Sequence, residues 1–171
     1  MDQQRKQSEL KMTEDMRRFA RRSVLGLIAA AALGGVAQGA ESAIKVHKDP
    51  NCGCCTGWVQ HLRDAGFAVE VENVQDASDL VAVRRRLGVP PELAACHTAE
   101  ASGYVLEGHV PALAVHRLLA ERPKATGLAV SGMPVGSPGM EGGDPEPYAV
   151  MLFGPSGAAP FMRFVGKQAV G

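Results

Sequence analysis

Ile44-Lys45-Val46-His47-Lys48-Asp49-Pro50-Asn51-Cys52-Gly53-Cys54-Cys55-Thr56-Gly57-Trp58-Val59 holds a strand, a turn, three thiols and the start of a helix, in that order. β-Branched Ile44 and Val46 alternate with Lys45 and His47, so Ala43 to His47 reads as a short strand. Lys48 to Asn51 is a turn around Pro50. Thr56 to Ala65 follows as a helix, with Trp58, Val59 and Leu62 on its apolar face and Gly66 where a C-terminal cap belongs. The thiols therefore sit at a strand-loop-helix junction, the local grammar of an α/β fold.

Further along, Phe67 to Val74 alternates apolar and acidic residues and reads as a second strand. Asp76 or Ser78 can cap a helix that runs to Leu87 and is closed by Gly88 and Pro90. Gly103 to Leu106 reads as a strand, and Ala112 to Glu121 as a helix ended by Pro123. From Gly132 to Pro147 glycine and proline recur too densely for regular structure, and long ordered loops of this kind are often functional. Tyr148 to Phe153 and Phe161 to Val165 read as a closing hairpin. The pattern predicts one small α/β domain over residues 41–171, with a small central sheet, flanking helices and a long Gly/Pro-rich loop.

Residues 1–40 read as an address rather than as fold. Arg17, Arg18, Arg21 and Arg22 precede an apolar run from Val24 to Val36, and Ala37-Gln38-Gly39 is a small-x-small cleavage site. The run is shorter than the roughly 20 residues a comfortable membrane span needs. Arg21-Arg22-Ser23-Val24-Leu25 resembles a twin-arginine export signal. The expected address is the periplasm, without stable membrane insertion once the signal is removed. Residues 1–39 take seven of the 18 basic and four of the 18 acidic residues with them, which leaves a formal charge of −3. With no basic block and only one Trp, two Tyr and five Phe, nucleic acid is not an expected partner.

The chain has four cysteines, three of them at Cys52, Cys54 and Cys55 and the fourth at Cys96. Cys52 and Cys55 have C-x-x-C spacing at a helix N-terminus, where the macrodipole favours thiolate. A dithiol redox motif needs two cysteines, whereas Cys54 adds a third sulfur inside the pair. Thiolates gathered in this way suit a soft ion, above all Cu(I), and adjacent cysteines suit several bridged ions. Zn(II) is the second choice, because a structural zinc site takes four thiolates but usually from two separated pairs. A thiol-disulfide oxidoreductase working through Cys52 and Cys55, and purely structural disulfides, stay open beside metal binding. Candidate additional ligands are His97 beside Cys96, His109, and the thioethers Met133 and Met140 in the Gly/Pro-rich loop. His47, His61, His116 and Glu141 read as structural or solvated, and Trp58 as a cover under the thiols.

The combination of Lys48-Asp49-Pro50-Asn51-Cys52-Gly53-Cys54-Cys55, Cys96-His97-Thr98-Ala99, Glu107-Gly108-His109-Val110-Pro111-Ala112, Gly132-Met133-Pro134, Gly136-Ser137-Pro138-Gly139-Met140-Glu141 and Tyr148-Ala149-Val150-Met151-Leu152-Phe153 resembles the CopG-type proteins, small exported bacterial proteins linked to copper resistance. The resemblance spans about Ile44 to Phe164. It implies a thioredoxin-like fold and copper held by Cys52, Cys54, Cys55 and Cys96, with exchange between Cu(I) and Cu(II) as a proposed redox role. Partners would be copper ions and other periplasmic copper-handling proteins. In that fold a cis-proline faces the C-x-x-C pair, and by chain order Val110-Pro111 would fill the place.

Overall fold

The computed structural model describes residues 43–171; the expected export signal and its cleavage site lie outside them. The described residues form eight strands and three α-helices. β1 (Ile44–Lys48) leads through the thiol turn into α1 (Gly53–Asp64), and β2 (Val69–Asn73) returns parallel to β1. α2 (Ala77–Leu87) and a 3-10 turn (Pro91–Leu93) lead to β3 (His97–Ala101), which pairs antiparallel with β1. β4 (Tyr104–Glu107) is antiparallel to β3, and α3 (Ala112–Glu121) connects it to β5 (Gly127–Ala129), parallel to β4. β6 (Pro147–Gly154), β7 (Gly157–Val165) and β8 (Gln168–Ala169) complete one sheet in the order β2-β1-β3-β4-β5-β6-β7-β8.

The expectation of a small sheet is corrected by this order. The C-terminal hairpin does not stand apart, because Leu152 of β6 aligns with Leu128 of β5 and carries the sheet onward. Three strands escaped the sequence reading. β3 is Ala-rich with one β-branched residue, β5 has three residues and β8 two. Each owes its extended form to pairing with its neighbours rather than to its own side-chain preferences.

The helices form where the sequence places them. Asp76 caps α2 by accepting from the amides of Ser78 and Asp79, and Gly88 ends it in the left-handed conformation. α3 spans the expected residues, with Ala112, Ala114, Val115 and Leu118 buried. α1 begins three residues earlier than the Thr56 start read from the sequence, at Gly53, so Cys54 and Cys55 lie within its first turn. The main core joins Val46, Trp58, Leu62, Leu106, Val115, Leu118, Leu128 and Phe164. Among the described residues no peptide bond is cis, which corrects the expectation for Val110-Pro111. Pro111 instead precedes the first residue of α3 with φ −63°, where a missing N–H breaks no helix hydrogen bond.

Strand direction gathers the site. β1 and β4 both run toward one end of the sheet, and β5, parallel to β4, ends there too. β3 starts at that end, with His97 opposite Lys48 and Thr98 opposite Glu107. Cys52 follows the end of β1, Cys96 precedes β3, His109 follows β4, and the Gly/Pro-rich loop leaves β5. Four chain segments thus converge on one rim.

Candidate metal centre

The four sulfurs of Cys52, Cys54, Cys55 and Cys96 all lie within 4.8 Å of one another. Cys52 is the N-cap of α1, and its Sγ takes the Cys55 amide at 3.3 Å. The helix therefore starts on a sulfur cap and directs its first-turn amides toward the thiols. Cys52 and Cys55 are joined in a disulfide, which leaves Cys54 and Cys96 as the free thiols. Cys54 Sγ stands 3.5 Å from Cys52 Sγ and 3.9 Å from Cys96 Sγ. Cys55 is fully buried, and the other three are half-buried.

Two imidazoles complete the cluster around Cys96. His109 Nε2 is 3.1 Å and His97 Nδ1 3.3 Å from Cys96 Sγ. These three donors also fall within 4.8 Å of one another. The Pro138 carbonyl lies 2.7 Å from His109 Nδ1 and can only accept, so that nitrogen carries the proton. The Nε2 lone pair of His109 is thereby aimed at the sulfurs. His97 packs between Trp58, at a ring separation of 4.3 Å, and His109, at 5.1 Å. Trp58 is itself fully buried and donates its indole N–H to the Val110 carbonyl at 2.8 Å.

Burial favours the neutral forms of Cys96, His97 and His109. Burial pushes the Cys96 thiol up to about 12, and the nearby Cys54 adds to the shift. Burial pushes His97 down to about 3, assisted by the repulsion that a second proton on His109 would bring and opposed by the Gly108 backbone. His109 is lowered by burial too, against the pull of Pro138. Neutral imidazoles and thiols that give up protons on binding are the donor set a soft cation takes.

The other candidates separate cleanly. His47 is buried but engaged with Glu100 at 3.0 Å and faces Glu72 at 3.8 Å. His61 accepts from the Ala112 amide at 2.9 Å and so caps α3, while His116 stacks on Phe67. Glu141 pairs with Lys167 at 2.8 Å, half-exposed. Met133 is 54% exposed. Met140 is half-buried, and its amide closes a turn onto Ser137 at 2.8 Å beside Gly139, which packs on α1.

Sequence reading missed the support beneath Cys96. Glu107 is fully buried and accepts from the Ala95 amide at 2.7 Å, the Thr98 hydroxyl at 2.6 Å and Arg84 Nε at 2.9 Å. Arg84 also donates to the Ala95 carbonyl. The available signal was a lone acid ending the apolar strand Tyr104-Val105-Leu106, one residue before Gly108-His109.

Fold and site together define a mixed α/β protein with a metal-capable thiol-imidazole cluster at one end of its sheet. Residues 93–140 match the model of a family described as proteins of unknown function, DUF411. No curated protein matches. Among solved structures, copper resistance protein CopG in its form 2 is 48% identical, with a TM-score of 0.65, covering 71% of this chain and 97% of that one. Form 1 is 46% identical, also at 0.65, covering 74% of this chain and 99% of that one. The chain belongs to the CopG copper resistance protein family.

Proposed function

We propose that this chain binds copper as Cu(I) through Cys52, Cys54, Cys55 and Cys96 and serves copper resistance in the periplasm, reached by the export signal in residues 1–40. The observation that carries the reading is the convergence of four sulfurs from two distant stretches within 4.8 Å. Thiolate suits a soft ion such as Cu(I), imidazole takes copper and zinc alike, and similarity to copper resistance proteins favours copper over zinc. His109 and His97 supply nitrogen on the Cys96 side, and Met140, half-buried where Met133 is largely exposed, is the better thioether candidate. In this reading the four thiolates take several Cu(I) ions as cargo, for sequestration or handover to other periplasmic copper-handling proteins. Cys52 and Cys55 must be reduced before they ligate, since a disulfide sulfur is no thiolate donor. The thioredoxin-like fold belongs to the same reading, supported by the β1-α1-β2 unit that carries the C-x-x-C pair on α1 and by the β3-β4 hairpin beside it.

Anaerobic reconstitution with Cu(I), followed by elemental analysis, tests this. Cys54→Ser and Cys96→Ser should each lower the copper-to-protein ratio, and unchanged ratios in both would refute the cluster.

One observation favours a second reading, a thiol-disulfide oxidoreductase: Cys52 and Cys55 are found paired at the N-terminus of α1. Such an enzyme would keep its dithiol activity without metal and lose little on Cys54→Ser. The copper protein would hold metal tightly and turn over no protein disulfide.

A further inference from the structure

The Cys96 loop is gripped from both sides by one carboxylate. Glu107 takes the Ala95 amide before the cysteine and the Thr98 hydroxyl after it, at 2.7 and 2.6 Å. Arg84 reaches in from α2, binds the carboxylate at 2.9 Å and also holds the Ala95 carbonyl. Both flanks of Cys96 are thus tied to the last residue of β4, two residues before His109. The sheet ladder does not hold this loop, because β3 begins only at His97. A neutral side chain would have sufficed for packing at this fully buried place, where a carboxylate is costly unless fully bonded.

We propose that Glu107 is a positioning residue for Cys96. Through Arg84, Ala95 and Thr98 it sets the sulfur at the point where Cys54 Sγ and His109 Nε2 meet. The proposal rests on the copper reading for its function, but the grip itself is independent of metal. Partners that orient metal ligands typically change affinity about 10- to 100-fold when removed. Glu107→Gln keeps the volume, removes the charge that holds Arg84 and replaces one acceptor oxygen with a donor.

The test is a double-mutant cycle on the full chain, with Cu(I) affinity read by competition against a chromophoric Cu(I) chelator. Glu107→Gln should weaken Cu(I) binding by about tenfold in the wild-type background and by less than about twofold in Cys96→Ser, because its effect passes through that sulfur. An equal loss in both backgrounds would mean general destabilisation and overturn the proposal. A metal-free arm separates this from the copper reading: the rate at which diamide joins Cys54 to Cys96 in protein that holds the Cys52–Cys55 disulfide, followed by mass spectrometry. Glu107→Gln should slow that cross-link several-fold, although removing a nearby negative charge by itself would speed it. A rate equal to or above wild type overturns the proposal even where no copper binds. If wild type binds no Cu(I) but the variant cross-links slowly, the copper reading fails and the positioning role stands. Thr98→Val, which removes one bond to the carboxylate at constant shape, carries both readouts should Glu107→Gln not fold, and should move each in the same direction by a smaller factor.

Discussion

His97 shows how one residue links the site to the stability of the fold. Its ring is fully buried against Trp58, and burial holds it neutral down to about pH 3, whereas the unfolded side chain titrates near 6.5. Between those values the unfolded chain binds the proton and the native chain does not. Stability is therefore greatest above about pH 6.5 and is lost as pH falls toward 3. His109 and His61 are lowered by burial as well and pull in the same direction. The thermal midpoint of copper-free protein should fall steadily from about pH 7 to about pH 4.5, and His97→Gln should flatten that slope even though it lowers the midpoint at neutral pH. A midpoint that does not move over this interval, or a slope unchanged in the variant, would contradict the assignment. The candidate donors that the fold gathers were legible in the sequence, since thiols and histidines announce themselves by type. Glu107 and Arg84 were not, because one acid and one arginine at 23 residues' separation look like ordinary surface charges until α2 brings Arg84 to the end of β4.

At the scale of elements, the contact between the Gly/Pro-rich loop and the first turn of α1 decides how the site closes. Gly139 has φ +87°, and a Cβ there would overlap the Cys54 carbonyl and come within 2.8 Å of the Trp58 amide. Gly57 meets the same place from the helix side, where a methyl group would lie 2.9 Å from the Gly139 Cα. The two glycines let the loop lie flat on the helix, and that approach delivers the Pro138 carbonyl to His109. Gly139→Ala should cost about 2 kcal/mol or more in denaturant unfolding, through backbone strain and displacement of the loop. Gly53 offers the contrast, since it sits at the start of α1 with nothing within 4 Å of its missing Cβ. Gly53→Ala should leave stability unchanged or raise it by up to about 1 kcal/mol, because alanine restricts the unfolded chain at no steric expense. If both variants behaved alike, close approach would not be what sets the loop. α2 was readable from its capping acid and closing glycine, α3 from the proline that ends it, and the irregularity of this loop from its composition. Its destination was not, because a local pattern does not record which helix a distant glycine will touch.

For the whole molecule, under the proposed copper reading, the redox state of the pair at the mouth of α1 decides how many sulfurs the rim can offer. The strand ends bring four sulfurs together, yet the Cys52–Cys55 disulfide withdraws two of them as donors and leaves Cys54 and Cys96 with the two imidazoles. In an oxidising compartment this pairing protects the thiols when no metal is present. Reduction returns two thiolates at the positive end of a helix, where they are most nucleophilic and most ready to ligate. Copper capacity should therefore depend on reduction: strictly reduced protein should take up more Cu(I) per chain than protein carrying the disulfide, measured side by side by elemental analysis. A ligand that binds only the native state at about a thousand times its Kd stabilises by about 4 kcal/mol, so Cu(I) should raise the thermal midpoint of reduced protein by several degrees more than that of oxidised protein. Once loaded, the four sulfurs should resist alkylation and diamide together, since each is shared with metal. Equal copper content in the two redox forms would show that Cys52 and Cys55 contribute no ligand, and the site would shrink to Cys54, Cys96, His97 and His109.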